Sequence, residues 1–228
     1  MIPEAAIQGK GLLSPIQKSF LALFSKIPDQ NQFYLTGGTA LAEYYLGHRL
    51  SYDLDFFTSI EELILPVSYQ IENLGREQNL DITVVRRFSS YVELLVVSQD
   101  ERLKIDLALD SPYRFEPPVF STEGVYVNDY KDLQIDKLLA YFGRAEPRDA
   151  VDLFYILKNE TIENLILLAA QKDPGFDVYW FIIALNKSSK FPDELNRWPV
   201  QVLLPFNPIE LKEYFQTLMK RLSDRLRN

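Results

Sequence analysis

The chain has 228 residues, of which 47% are hydrophobic and 25% are charged, a composition typical of a globular protein with one large domain or two small ones. It contains no cysteine, which excludes disulfides, thiolate zinc sites and cysteine nucleophiles. The formal net charge of −8 argues against broad nucleic-acid binding, although it leaves room for a local basic patch or for a nucleotide held through metal ions.

The N-terminal half alternates between helix and strand signals. Ser14 can cap a helix that begins at Pro15, and Gln17 completes a capping box. Hydrophobic periodicity and turn residues then predict the following elements. They are a strand at 33–36, a helix at 39–46 ended by Gly47, a strand at 52–57, a helix at 67–78, and strands at 80–87, 91–97 and 102–109, with a hairpin turn at 98–101.

The C-terminal half is predicted to be helical. Three prolines within residues 111–118 break the strand pattern, and all the signals after Tyr126 favour helices. The predicted helices cover 129–143, 147–157, 160–171, 176–187 and 208–227. This order predicts the α+β class. Residues 1–115 would form a core domain with a mixed or antiparallel sheet flanked by helices, and residues 116–228 a helical domain packed on that core.

Two carboxylates are predicted to project from one face of the strand at 52–57. Residues two apart in a strand point to the same side, so Asp53 and Asp55 project together, while Tyr52 and Leu54 belong to the opposite, buried face. Two such charges at ~4 Å repel by about 4 kcal/mol at an effective dielectric near 20. A hard divalent cation with oxygen ligands offsets that repulsion, so Mg²⁺ or Mn²⁺ is the expected cofactor.

A third carboxylate is predicted on the strand at 102–109. Its leucine and isoleucine residues, ending at Leu109, alternate onto a core face, which leaves Asp106 on the other face. Asp106 on a neighbouring strand would complete a two-metal site. The alternative is that Asp106 is a solvent-facing strand residue paired with Lys104.

The sequence Gly37-Gly38-Thr39 lies where a strand turns into a helix. Glycines let the backbone approach a phosphate, the helix N-terminus offers free N–H groups, and the Thr39 hydroxyl can donate to a phosphate oxygen. An Asp-x-Asp strand follows after one short helix, a combination that favours a nucleotide site. The alternative for the two aspartates is an exposed strand edge with solvated acids.

Two blocks of sequence resemble a known family. The first runs from GGTALA at 37–42 to LGHRLSYDLDFF at 46–57, and the second is LQIDKLLAYFGRAEPRDAVDL at 133–153. Together the matching parts span roughly residues 30–158. The chain resembles the AbiEii/AbiGii toxin family of nucleotidyltransferases, within the DNA polymerase beta-like superfamily.

The resemblance implies roles for individual residues. Gly38 and Thr39 would hold the triphosphate, and Lys137 would contact nucleotide phosphate with Asp152 beside it in the same active site. From the resemblance and the chemistry of the residues together, the predicted nucleotide-binding set is Gly37, Gly38, Thr39, Ser51 and Arg148. The predicted catalytic set is Asp53, Asp55, Asp106, Lys137 and Asp152. Of these, Asp53, Asp55 and Asp106 would bind metal, and Asp106 is placed by its position on the strand at 102–109.

The second block also makes chemical sense by itself. Lys137 lies off the apolar stripe of its helix, and a lysine charge suits phosphate. Arg148, Asp149 and Asp152 are predicted on the polar side of the next helix, where Arg148 and Asp152 form an i,i+4 pair. His48, the single histidine, has no evident partner, so a structural role is expected for it.

The sequence therefore predicts an enzyme that moves a nucleoside monophosphate from an NTP to an acceptor hydroxyl. The toxin resemblance implies tRNA as the acceptor and a cognate antitoxin as a partner. Two alternatives stay open: a protein or small-molecule acceptor, and an inactive member of the fold that binds a nucleotide or a partner. Neither a signal-peptide pattern nor a bilayer-length apolar run is found, so we expect a cytoplasmic protein without membrane contact.

Overall fold

The computed structural model describes residues 6–78, 80–98 and 101–227. Proximity of Cα atoms divides the chain into two compact units. Unit 1 comprises residues 1–47 and 51–130, and unit 2 comprises residues 48–50 and 131–228. The hairpin turn predicted at 98–101 includes residues 99 and 100, which lie outside the described residues.

Unit 1 is built on a mixed sheet. In its described part the sheet has seven strands in the order β3-β4-β5-β2-β1-β7-β6. The pairs β2–β5 and β1–β7 are parallel, and the other neighbours are antiparallel. The strands are β1 (Tyr34–Thr36), β2 (Leu54–Thr58), β3 (Asp81–Phe88), β4 (Tyr91–Ser98), β5 (Glu101–Leu109), β6 (Val119–Phe120) and β7 (Tyr126–Val127).

The helices of unit 1 include the predicted start at Pro15 and the predicted end before Gly47. They are α1 (Pro15–Phe24), α2 (Gly37–Ala40), a π-helical segment (Leu41–Leu46) and α3 (Glu61–Glu77), with a 3₁₀ turn at Gln30–Gln32. The capping box of α1 is present, with both the Ser14 and the Gln17 side chains engaged. Helix α3 begins six residues before the predicted start. It continues through Pro66, which lacks one backbone hydrogen-bond donor and does not end the helix.

Aromatic side chains fill the core of unit 1 under β2. The ring of Phe24 stacks on that of Phe56 with 4.0 Å between centroids, and Phe33 meets Phe24 edge-on at 6.0 Å. Two residues predicted on core faces are exposed instead. Tyr52 is 59% exposed because β2 begins only at Leu54, and Leu109 is 38% exposed because it is the last residue of β5.

Unit 2 is helical, as the sequence predicts. Its helices are α4 (Tyr130–Arg144, whose first residue belongs to unit 1), α5 (Pro147–Ile156), α6 (Ile162–Lys172), α7 (Val178–Asn186) and α8 (Pro208–Arg227), with 3₁₀ turns at Lys187–Lys190 and Leu195–Arg197. Tyr141 lies in its core, 5.4 Å from the Phe215 ring, and its hydroxyl donates to the Ala184 carbonyl. Over the three described ranges, no helix has the length and apolar character required to cross a bilayer.

A short segment at residues 48–50 joins unit 2 by backbone pairing. The Leu50 N–H donates to the Gln201 carbonyl at 2.9 Å, and the Leu203 N–H donates to the His48 carbonyl at 2.8 Å. Arg49 and Val202 form an antiparallel bridge between these bonds. The segment therefore belongs to unit 2 although its sequence neighbours belong to unit 1.

The division between the units differs from the predicted boundary after residue 115. Residues 119–127 contribute β6 and β7 to the sheet, so unit 1 continues to Tyr130. These strands have two residues each, which is too short to show an alternating pattern. The packing of the helical domain on the core stays a prediction.

Candidate active site

Asp53, Asp55 and Asp106 form what we call the carboxylate row of unit 1. Asp53 directly precedes β2, Asp55 lies on β2, and Asp106 lies on β5. The parallel pairing sets Asp55 opposite Asp106, and the antiparallel pairing with β1 sets it opposite Thr36. Residues directly opposite in neighbouring strands point to the same face, so the structure brings Asp55 and Asp106 together on the face away from the phenylalanine core.

Gly37 makes room for the carboxylate of Asp55. Its φ of +71° lies in the left-handed region that favours glycine. A Cβ atom at this position would lie 2.0 Å from Asp55 Oδ2, well inside contact distance. The first glycine of the predicted phosphate loop is therefore required here by a close approach to Asp55.

Thr39 and Ser51 are tied to their surroundings by internal hydrogen bonds. The buried Thr39 hydroxyl donates to the carbonyl of Asp53, and the Ser51 carbonyl accepts from the Gln17 side chain at 3.0 Å. These bonds connect α2 and α1 to the chain that leads into β2. Donation from the Thr39 hydroxyl to a phosphate stays a prediction.

Both carboxylate oxygens of Asp106 have hydrogen-bond donors. The Tyr91 hydroxyl donates to Oδ1 at 2.8 Å, and the Lys104 ammonium donates to Oδ2 at 2.6 Å. The pairing with Lys104 left open by the sequence is therefore present. Burial by itself would lower the pKa of Lys104, but the bond to Asp106 and the charges of Asp106, Asp53 and Asp55 outweigh it and raise that pKa.

The carboxylate row fits a hard cation by its chemistry. Its donors are carboxylate oxygens, which Mg²⁺ and Mn²⁺ prefer, and a cation, the Lys104 ammonium, already pairs with Asp106. In the described ranges, no three His, Asp or Glu side chains converge as a ready metal-ligand set. The residues thus match a divalent ion in donor type and charge.

A buried ionic cluster in unit 2 centres on Asp152. Its carboxylate accepts from Arg49 at 2.6 and 2.9 Å, from Lys137 at 2.8 Å and from His48 Nε2 at 2.7 Å. We call these four residues the Asp152 cluster. Burial would raise the pKa of Asp152, but the charges of Arg49 and Lys137 hold it well below its usual value. The structure thus brings together Lys137 and Asp152, as the resemblance implied.

His48 and Arg49 are the partners of Asp152 that sequence reasoning missed. They lie more than 100 positions away in the sequence, and their adjacency to each other is the only local signal. Burial lowers the pKa of His48 below its usual value, although the bond to Asp152 opposes that shift. A neutral His48 leaves the cluster with two cations and one carboxylate, a net charge of +1.

The predicted pair between Arg148 and Asp152 is wrong. Arg148 donates instead to Glu146 at 3.0 Å, because Asp152 points into the interior of unit 2. Asp149, expected on a polar face, is also fully buried and accepts two bonds from Arg144 at 2.6 and 2.7 Å. The nucleotide-binding role of Arg148 stays a prediction.

We expect Gly37→Ala to displace the Asp55 side chain, and therefore to destabilise the fold by more than its backbone strain alone. Gly11→Ala is a matched control, because Gly11 also has a positive φ, +82°, but has nothing within 4 Å of the added Cβ. Both changes should cost roughly 1–2 kcal/mol from backbone strain. Gly37→Ala should lower the free energy of unfolding, measured in urea, by more than Gly11→Ala does, and it should also weaken Mn²⁺ binding. Equal effects of the two variants would contradict the close approach.

Stability should fall as the pH drops below about 6.5. His48 has a lowered pKa when folded, so the unfolded chain binds the proton more readily, and acid favours unfolding. Because His48 is the single histidine, His48→Gln should flatten this dependence. We expect a loss of about 1 kcal/mol between pH 7 and 5.5 in the parent chain, measured by urea unfolding. An unchanged slope in the variant would exclude His48 as its origin.

Asp152→Asn should destabilise the fold by about 3–5 kcal/mol, because it leaves the buried Arg49 and Lys137 without a counter-charge. Asp149→Asn is the control, since its partner Arg144 is 46% exposed and can turn to water. We expect the smaller loss for Asp149→Asn in thermal and urea unfolding. The reverse order would show that the Asp152 cluster does not carry this stability.

Comparison with known proteins places this fold in a family. Residues 19–175 match the family described as nucleotidyl transferase AbiEii toxin, Type IV TA system. An uncharacterised protein of Aquifex aeolicus (strain VF5) is 31% identical over 196 residues, which cover 83% of this chain and 87% of that protein.

Solved structures share the fold. MenT4, a nucleotidyltransferase toxin from Mycobacterium tuberculosis H37Rv, has a TM-score of 0.61 at 20% identity, covering 92% of this chain and 82% of that one. JHP933 from Helicobacter pylori has a TM-score of 0.53 at 21% identity, covering 92% and 91%. The family predicted from the two sequence blocks is confirmed by the profile match, which extends over more than half of the chain. This chain therefore belongs to the AbiEii family of nucleotidyltransferase toxins.

Proposed function

We propose that this protein is a metal-dependent toxin that transfers a nucleoside monophosphate from an NTP to a hydroxyl of tRNA, with release of pyrophosphate. The observation that carries the proposal is the placement of Asp55, seated against Gly37 and opposite Asp106 in the sheet. A cognate antitoxin and a cytoplasmic location belong to the same proposal, because the family is a toxin–antitoxin family.

The carboxylate row is proposed as the metal site. Asp53, Asp55 and Asp106 would hold Mg²⁺ or Mn²⁺, and a two-metal arrangement belongs to the same proposal. Bound ions of this type supply charge neutralisation at the phosphates and acidify an attacking hydroxyl. The chain itself contributes the rigid register of β2 and β5, which fixes two of the carboxylates on one face.

Residues around Gly37 are proposed to bind the nucleotide. The backbone N–H groups of Gly37 and Gly38, at the start of α2, would donate to phosphate, while the space left by the missing Cβ of Gly37 is taken by Asp55. Thr39 and Ser51 would line this site. Thr39 already anchors the Asp53 backbone, so it would also hold Asp53 in position.

Lys137 is proposed as the phosphate-binding lysine of unit 2, with Asp152 as its partner. The Asp152 cluster has one excess positive charge, which favours an anion over a cation as its ligand. The Lys137 side chain is 7% exposed, so the charge is held in a fixed position. Arg148, which is partly exposed, would contact phosphate from the surface.

The distribution of charge is compatible with tRNA as the acceptor. Unit 1 contains 9 Lys and Arg against 18 Asp and Glu, a net charge of −9, and unit 2 contains 15 against 14, a net charge of +1. The acidic excess of the chain is therefore confined to unit 1. The exposed C-terminal end of α8 is locally basic, with Lys220, Arg221, Arg225 and Arg227, two of which pair with Glu163. A polyanion would be tolerated by unit 2 although the whole chain is acidic.

Two alternatives are kept because the overall charge is −8. A protein or small-molecule acceptor needs no extended basic surface and keeps the same chemistry. An inactive member of the fold, which binds a nucleotide or a partner without catalysis, would need no acceptor. The intact Asp53 and Asp55 pair favours an active enzyme over that reading.

The test is transfer of label from each α-labelled NTP in the presence of Mg²⁺ or Mn²⁺ and total bacterial tRNA. We expect label in tRNA with the parent chain and none with the double variant Asp53→Asn, Asp55→Asn, because that variant loses two metal-binding carboxylates. Asp81→Asn removes one exposed acid at the far strand of the same sheet and should leave transfer unchanged.

Each other outcome points to one alternative. Label on protein alone would keep the chemistry and overturn tRNA as the acceptor. Metal-dependent NTP binding by calorimetry without any transfer would support the binding-module alternative. Absence of NTP binding in the parent chain would overturn the proposed function as a whole.

A further inference from the structure

The side chain of Lys104 lies within the carboxylate row. Lys104 and Asp106 are two residues apart on β5 and therefore share a face of the sheet. The ammonium donates to Asp106 Oδ2 at 2.6 Å, and the charges of Asp53 and Asp55 also act on it. One strand thus supplies both a carboxylate of the row and a cation that neutralises it.

Asp106 has no oxygen without a donor in this arrangement. Oδ2 accepts from Lys104, and Oδ1 accepts from Tyr91, whose hydroxyl also donates to Glu93 at 3.2 Å. A metal ion that uses Asp106 must therefore share an oxygen with one of these donors or displace that donor. The Tyr91 donor is part of a three-residue network on β4 and β5, whereas the Lys104 side chain is flexible and 40% exposed, so it is the donor that can leave at lower cost.

We propose that Lys104 is a tethered cation that competes with divalent metal for Asp106 and so sets the metal affinity of the carboxylate row. The inference rests on the proposed function, because it assumes that the row binds metal. Lys104 is then a residue that determines how much free metal the enzyme requires. It contacts neither nucleotide nor acceptor in this account.

Competition has two physical sources, and both disappear with the ammonium. The lysine occupies a ligand oxygen, and its positive charge repels an incoming divalent ion nearby. A side chain of similar length without charge should therefore strengthen metal binding. Lys104→Met meets that condition, and Lys104→Arg keeps the charge while preserving the competition.

Arg102 provides the matched control. It lies two residues before Lys104 on the same face of β5, and it is exposed to solvent. Arg102→Met changes the net charge of the protein by the same amount as Lys104→Met. A general effect of charge on metal binding would appear equally in both variants, whereas competition at Asp106 requires Lys104 alone.

The experiment titrates the full chain with Mn²⁺ in the absence of nucleotide. Binding is measured by electron paramagnetic resonance of the free Mn²⁺ ion and by calorimetry. We expect Lys104→Met to bind Mn²⁺ about tenfold more tightly than the parent, and Arg102→Met to differ by about twofold at most. Lys104→Arg should retain the affinity of the parent. Circular dichroism and urea unfolding would confirm that each variant is folded.

The inference would be overturned if Lys104→Met bound Mn²⁺ no more tightly than the parent. It would also be overturned if Arg102→Met gained as much Mn²⁺ affinity as Lys104→Met. If the parent binds Mn²⁺ and loses it in the Asp55→Asn variant, the metal site of the proposed function survives that failure. If neither the parent nor Lys104→Met binds Mn²⁺, both the inference and the proposed metal site are overturned.

Discussion

The parallel register of β2 and β5 is the constraint on which unit 1 depends. It sets Asp55 opposite Asp106 on one face of the sheet, where two negative charges repel. The surrounding residues reduce that repulsion. Lys104 and Tyr91 donate to Asp106, and Gly37 leaves space for Asp55. The opposite face is apolar, and its stacked phenylalanines hold the strands that carry these charges.

Unit 2 has the opposite arrangement, in which cations outnumber carboxylates. The Asp152 cluster buries two cations around one carboxylate, and a hydrogen bond from a neutral histidine completes the carboxylate's shell. Burying an ion is costly unless it is paired and hydrogen-bonded, and the three ions Arg49, Lys137 and Asp152 are paired with one another. The molecule therefore concentrates negative charge at the sheet of unit 1 and a small positive excess inside unit 2. That difference in charge is the basis for proposing a metal site in the first and a phosphate-binding lysine in the second.

How much the sequence predicts depends on whether a signal is local. The capping box of α1 and the alternation along β5 each lie within a few residues, and the structure has both in place. Of the Asp-x-Asp pair, Asp55 lies in β2 and Asp53 directly precedes it. Strands β6 and β7 have too few residues for a period, so they were missed. The pairing of Arg49 with Asp152 joins positions about 100 residues apart, which one sequence does not reveal. Helical spacing, the only local signal, predicts that Arg148 pairs with Asp152. In the structure Asp152 is buried, and Arg148 pairs with Glu146 instead.

The segment at 48–50 also determines how this chain can be divided. The backbone leaves unit 1 after Gly47, pairs with residues 201–203 and returns at Ser51, so the units are interleaved in sequence. A fragment ending at Tyr130 would retain His48 and Arg49 but lose Asp152 and the strand-like partner that buries them. A fragment beginning at Lys131 would contain Asp152 without its arginine. We therefore expect neither half to fold by itself, and a truncation of this chain should respect both crossings rather than the apparent boundary between sheet and helices.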